Sequence, residues 1–480
     1  MNHITKQRNI PDNSAAVHGW RAVLGLAFLL LLLVGCAHAP LNRPLVCNDP
    51  EAGYRFHGHS QTNQPEDDIL IFLFFSGGGT RAAALSYGVL EELAHTPMET
   101  QGKQTRLLDQ VDFISAVSGG SFTAAYYCLY GDRIFKDFEG RFLKRDTQDE
   151  LIWQLILPGN WPRLLSPNFS RTDLAAEFYN RHLFVGATFA DLETRRAAPF
   201  LVINATDMGT GGGFSFTQYS FDLIGSDLAN YPVAQAVAAS SALSPYFSPI
   251  TLRNYAGGAG HAKSDWLERL EQTNTLTSRQ QNLARRLETY ADSKRRPFIH
   301  LIDGGLADNL GLSSFMDANT VFGGVANTLE HFHIERAHKI VMIMVDASVH
   351  RIMHFDQSEN PPGLLTVQYT MVDNLVNRTS SETEEEFKAN MDEWRQTMIK
   401  RNGSRQSKAA TPVTDLKYYF INVNFGILSD PAERDFFENL PTNFKLPAKT
   451  VDRLRDVGGR LLLESSEYQR LLHDLKASAR

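Results

Sequence analysis

Several features are scarce in this chain. It has three cysteines in 480 residues, too few for a scaffold held by disulfides. Basic residues are not in excess: 47 Lys and Arg stand against 54 Asp and Glu, a formal net charge of −7. That balance, with a pI near 6.1, excludes a protein built around a basic nucleic-acid-binding face, so no nucleic-acid partner is expected. There is no internal repeat and no low-complexity tract, and the ordinary composition excludes a collagen-like, mucin-like or wholly disordered chain. The fifteen histidines form no H-E-x-x-H and no Cys/His zinc spacing, and no G-x-x-x-x-G-K-[ST] loop is present. Neither a metal nor a cofactor is therefore expected. The uncharged apolar run over residues 22–35 has fourteen residues. At 1.5 Å per residue it spans about 21 Å, short of the ~30 Å core of a bilayer.

That run has informative flanks. Lys6, Arg8 and Arg21 precede it against one acid, Asp12, and Cys36 follows it. A basic start, a short apolar stretch and small residues at the exit describe a secretory signal peptide over residues 1–35. Leu33-Val34-Gly35-Cys36 resembles the lipobox of bacterial lipoproteins, which implies cleavage before Cys36, lipidation of its thiol and membrane attachment. An uncleaved anchor helix and a secreted chain cut elsewhere are the alternatives. Loss of three bases and one acid takes the net charge from −7 to −9. Ala37 and His38 lack the Asp often linked to inner-membrane retention, which favours the outer membrane, facing the periplasm. Residues 36–68 carry Pro40, Pro44, Pro50 and Pro65 and few apolar residues. They read as a tether long enough that the body need not touch the bilayer. Of the other two cysteines, Cys47 sits in that loose stretch and Cys128 in an apolar helical pattern, which argues against a bridge between them.

The body, residues 69–350, repeats one grammar: apolar strand, glycine turn, helix. Ile69–Phe75 is followed by Gly77-Gly78-Gly79 and a helix-forming stretch to Leu93, and Val111–Val117 by a Ser-Gly-Gly turn and Phe122–Tyr130. Phe200–Ala205, Phe298–Ile302 and Lys339–Val345 are further buried runs. This alternation predicts an α/β fold with a mostly parallel sheet and helices on both faces. Residues 251–297 read as an insertion with helical pieces at 266–270 and 283–290. Residues 351–480 read as a mainly helical extension with a late strand, Tyr418–Asn424, and one long helix, Val451–Leu475.

Three strand ends carry polar residues, and ligands bind outside the carboxyl ends of parallel strands. Gly77-Gly78-Gly79-Thr80-Arg81 can turn backbone N–H groups toward an anion or oxyanion, aided by the following helix. It also fits a dinucleotide fingerprint, but the second strand ends in Ser118 rather than the acid that a ribose requires. Ala116-Val117-Ser118-Gly119-Gly120 has the strand–turn–helix setting of a nucleophile elbow; a plain structural turn has the same pattern. Asp303, before Gly304-Gly305, is either a turn or cap residue or a carboxylate within reach of Ser118.

Taken together, these segments resemble the patatin-like phospholipase family. The matching features are Gly-Gly-Gly-x-Arg at 77–81, the serine elbow at 118 and Asp-Gly-Gly at 303–305. Asn204-Ala-Thr-Asp207 and the segment from Ala239 to Phe247 match as well. The resemblance implies a three-layer α/β/α fold and hydrolysis of phospholipid or other lipid esters. It implies a Ser118–Asp303 dyad, with an oxyanion hole from Gly77, Gly78 and Gly79 and with Arg81 nearby. Ala116 departs from the family's first elbow glycine, and Gly311 stands where many members have proline. The long 251–297 segment is a candidate lid.

Two rival functions stay open. One is a Ser-His-Asp esterase using His331, His333 or His338; the other is a non-catalytic envelope lipoprotein that binds lipid or a partner. Asp346, at the end of the Lys339–Val345 run, is a rival base. The apolar stretch from Leu151 to Leu157, with Trp161, reads as core rather than a lipid-facing surface, and Glu384–Glu386 as a solvated helix face.

Overall fold

In a computed structural model, the described residues are 42–56 except 48 and 50, 69–332 except 101, 102, 196, 197, 259, 260, 262 and 274, then 338–349, 355, 358–405 and 417–478. The signal-peptide run and Cys36 lie outside them. Among the described residues no helix is long and apolar enough to cross a membrane.

Among the described residues, eight strands form one central sheet. They are β1 (Ile69–Phe75), β2 (Val111–Val117), β3 (Phe200–Asp207), β4 (Gly213–Ser215), β5 (Ile250–Arg253), β6 (Phe298–Asp303), β7 (Lys339–Asp346) and β8 (Lys417–Asn424). The order is β8-β7-β1-β2-β3-β6-β5, with β4 paired to β3. Strands β8 to β3 run parallel. Every residue of β1 is buried, as expected of a strand covered on both faces.

The principal helices are α1 (Thr80–His95), α2 (Gly119–Tyr130), α3 (Thr147–Ile156), α4 (Arg171–Tyr179), α5 (Val233–Ser240), α6 (Asp265–Gln272), α7 (Ser278–Ala291), α8 (Ser313–Phe322), α9 (Leu364–Arg405) and α10 (Ala448–Glu464). Helices α1, α2, α5 and α10 cover one face and α8 and α9 the other, giving the three-layer α/β/α architecture. Helices α1 and α10 touch backbone to backbone. A Cβ on Gly88 would lie 2.0 Å from the Arg455 carbonyl oxygen, and one on Gly458 2.5 Å from that of Leu85.

Four expectations change. First, β6 is antiparallel to both β3 and β5. Its exposure alternates along the strand, the period-2 pattern of a half-covered antiparallel strand. Second, the 36–68 tether is shorter than expected. Tyr54 is fully buried and stacks on Phe200 at 4.7 Å; Arg55 pairs with Asp222 at 2.7 Å; Asn42 bonds to Ser226 and Arg253. Third, the C-terminal region is mainly helical but also supplies β8 to the same sheet, and its long terminal helix breaks at Ser465 into α10 and Ser466–Ser478. Fourth, the 251–297 segment is packed into the body and supplies most of β5. Its two helical pieces fall in α6 and α7. Arg296 and the Tyr290 hydroxyl hold Asp207, Arg286 pairs with Asp317, and Arg286, Leu287 and Tyr290 line one side of an apolar cavity of about 110 Å³. Cys128 is buried and forms no disulfide with Cys47.

Candidate active site

Ser118 lies between β2 and α2 with φ 48° and ψ −117°. A non-glycine residue held at positive φ stores about 1–3 kcal/mol of strain, so close packing must enforce the turn. Gly119 and Gly120 permit that packing: a Cβ on Gly119 would sit 2.1 Å from the Gly79 oxygen, and one on Gly120 2.7 Å from the Ser76 oxygen. The Ser118 N–H donates to Ser240 Oγ at 2.8 Å, and Ser240 Oγ donates to the Asn204 carbonyl at 2.6 Å. Ser240, the last residue of α5, fixes the elbow from outside. It falls inside the Ala239–Phe247 segment, but nothing about a serine in an alanine-rich run marks this role.

The Ser118 hydroxyl donates to Asp303 Oδ2 at 3.0 Å. This contact exists because β6 runs against its neighbours. Its last residue, Asp303, pairs with Ala205, while Val117 pairs with Asn204. The antiparallel strand descends from beyond the sheet's end and stops level with the elbow. Asp303 Oδ1 accepts from Gly305 N–H at 2.9 Å, and its own N–H donates to the Ala242 carbonyl. Burial raises the Asp303 carboxyl from an ordinary 3.8 to about 6, against the lowering effect of the Gly305 and Ser118 bonds. A carboxylate in that range is a far better base than a solvated one.

The glycine loop divides its labour. Gly77 N–H donates to the Asn309 carbonyl at 3.0 Å, so it is spoken for, contrary to the expectation that it joins the oxyanion hole. Gly78 and Gly79, with φ of 140° and 61°, donate their N–H groups to no acceptor among the described residues. They remain as the candidate pair. Arg81 is also corrected. Its buried guanidinium donates to the carbonyls of Ala347 (2.8 Å) and Leu440 (2.7 Å) and to Thr442 Oγ1 (3.1 Å). Thr80 N–H donates to Asn443 O. Arg81 thus clamps the loop to the C-terminal region and positions it, and its charge is committed there.

The rival residues lie elsewhere. Asp346 accepts from Ser348 N–H, and His331 stacks on Phe322 at 4.2 Å. His338 joins β8 through its backbone, and His333 lies outside the described residues. Among the described residues no histidine bonds to Ser118 or Asp303. No cluster of three or more His, Cys, Asp or Glu residues among them is arranged to hold a metal. Gly311 has φ +73°, a conformation closed to proline.

Residues 73–316 match the family model for patatin-like phospholipase, half of the chain. The chain belongs to this family. A search of curated proteins returned no match. Among solved structures, human GIVD cytosolic phospholipase A2 is similar at 12% identity and a TM-score of 0.39, covering 88% of this chain and 65% of that one. The same enzyme with methyl gamma-linolenyl fluorophosphonate gives 13% identity and 0.38, covering 86% and 60%. This chain therefore spans less than two thirds of the length of those proteins.

Proposed function

We propose that the chain is a serine acyl hydrolase of phospholipid or related lipid esters, working through an acyl-enzyme on a Ser118–Asp303 dyad. The observation that carries this reading is the 3.0 Å bond from the Ser118 hydroxyl to buried Asp303. Ser118 Oγ attacks the ester carbonyl carbon while Asp303 takes its proton. The oxyanion forms beside Gly78 and Gly79, whose N–H groups would each be worth roughly 3–4 kcal/mol. The ester C–O bond then breaks, the Asp303 proton passes to the departing alcohol oxygen, and the acyl group stays on Ser118. Water attacks the acyl-enzyme, giving one proton to Asp303. Collapse returns that proton to Ser118 and releases the fatty acid.

The test is labelling by a fluorophosphonate, with mass spectrometry of products from a lipid extract. Wild type should be labelled at Ser118 and release fatty acid, and Ser118→Ala should do neither. Release of fatty acid by Ser118→Ala would overturn the reading.

We also propose that the protein is a lipoprotein of a bacterial envelope, held through lipidated Cys36 at the outer membrane on its periplasmic side. Support comes from the lipobox-like Leu33–Cys36 and the Ala37-His38 that follow. Incorporation of an alkyne-tagged fatty acid by wild type but not Cys36→Ser is the expected result.

A further inference from the structure

Large apolar residues are exposed at one end of the molecule. In α3 and the segment after it they are Ile152, Trp153 (63% exposed), Ile156, Leu157, Trp161 (54%) and Leu165 (71%). This overturns the expectation that the stretch is core. In α9 they are Leu364 (75%), Val367, Met371 (68%) and Leu375. Spacings of three, four and four residues put these on one helical stripe. Two such stretches on a water-facing surface mark a contact.

Both stretches stand at the carboxyl end of the sheet, where Ser118 opens. Helix α3 starts beside the chain that clamps the glycine loop: Gln148 N–H donates to Phe444 O, next to Asn443. The segment after α3 leads to Thr172, which bonds to Ser248 just beyond α5. Helix α9 runs down the opposite face. Its Glu384 meets Asn422 near the carboxyl end of β8, and its Trp394 packs on Tyr418 at the other end. The turns before Glu384, with the exposed stripe, therefore project past the sheet on the Ser118 side.

The chain's entry point lies at that end too. Strand β5 runs parallel to β3, so Arg253 ends it on the Ser118 side, and Asn42 bonds to the Arg253 carbonyl at 2.8 Å. Five residues lie between Cys36 and Asn42, a reach of at most about 22 Å.

Charge decides what kind of surface fits. Residues 151–165 contain one charged side chain, Arg163, which pairs with Glu177. Residues 364–377 also contain one, Asp373. Around α3, Arg145 pairs with Glu150, and Lys445 with Asp146 and Asp149. Neither stretch offers spare cations to anionic headgroups. Tryptophan at an apolar edge is the side chain suited to a lipid interface.

We propose that these two stretches form a lipid-docking surface that seats the Ser118 opening on a zwitterionic phospholipid layer by apolar insertion. The choice of partner rests on the lipid hydrolase reading above. The surface acts without anionic lipid and is distinct from the covalent anchor.

The probe is the full chain with phosphatidylcholine vesicles whose acyl chains are brominated. Trp20 leaves with residues 1–35 on processing, and in the unprocessed chain it adds the same background to every variant. Quenching should fall by about half or more in Trp153→Phe/Trp161→Phe, and added phosphatidylserine or salt should change it less than about twofold. Equal quenching in wild type and double variant, or quenching that requires phosphatidylserine, would overturn the proposal. In Trp153→Glu/Met371→Glu, hydrolysis of vesicle phospholipid should drop at least about tenfold, while hydrolysis of a water-soluble short-chain ester stays within about twofold. Unchanged vesicle hydrolysis, or equal loss on both substrates, would also overturn it. A wild type that hydrolyses neither ester refutes the hydrolase reading instead, and the quenching still decides docking.

Discussion

Asp303→Asn separates the chemistry of the site from its stability. The substitution keeps size and shape. An amide oxygen can still accept from Gly305 N–H, and the amide N–H₂ can face Ser118 Oγ. What disappears is the buried negative charge. Burial holds the folded carboxyl at about 6 against an ordinary 3.8. The folded state therefore binds the proton more tightly than the unfolded state does. Stability is lost as pH rises from about 4 to 6, and the full cost is present above that. A shift of about two units corresponds to roughly 3 kcal/mol.

The asparagine variant carries no such cost at any pH. It should be more stable than wild type by roughly 3 kcal/mol at pH 8 and roughly 1 kcal/mol at pH 4.5. With an unfolding entropy near 1 kcal/mol per degree for a chain this long, those figures become Tm gains of roughly 3 °C and 1 °C. Scanning calorimetry of both proteins at both pH values, at one scan rate, measures them. Turnover should move the other way and fall by roughly 10²-fold or more. In wild type, kcat/KM should rise with pH to a plateau above about pH 6. A variant that is less stable at pH 8, or one that gains equally at both pH values, refutes the account of Asp303 as a costly buried base.

Three further predictions follow from other contacts. Ser118→Ala and Ser118→Gly should be equally inactive, but Ser118→Gly should be more stable by about 1 kcal/mol, because only glycine relieves the positive φ; denaturant titration compares them. Arg81→Ala should lose on the order of 3 kcal/mol of stability and most activity, since it strips two buried carbonyls and the half-buried Thr442 hydroxyl of their donor; Arg81→Lys, lacking the planar fork, should recover only part of both. Gly88→Ala should cost about 1–3 kcal/mol through the clash with the Arg455 carbonyl, while turnover at low temperature stays near wild type, because the helix crossing is remote from Ser118.

Much of the fold was legible because its signals are local. Apolar runs of five to seven residues placed six of the sheet's eight described strands within a residue or two, while the short β4 and β5 left no such run. The Gly-Gly-Gly, Ser-Gly-Gly and Asp-Gly-Gly turns marked the site. What the runs did not carry was direction: β6 reads as one more apolar strand, and only its pairing with β3 and β5 in the folded chain shows it to be antiparallel. Gly77 and Arg81 illustrate the same limit. Both carry the right chemistry for an oxyanion hole, yet Asn309 and the 440–443 chain had already taken their donors.

The amino-acid sequence by itself determined the layer architecture, the serine on a strained turn and the carboxylate meant for it, since strand period, glycine placement and residue type are all properties of short segments. Tertiary structure decided the rest. It set the level at which β6 stops, and so the contact from Ser118 to Asp303. It buried that carboxyl and raised its proton affinity, drew Tyr54 and β8 into the body, and left Trp153 and Met371 facing water. Each of these depends on which distant segment lies alongside, and burial, register and desolvation exist only once the chain has closed on itself.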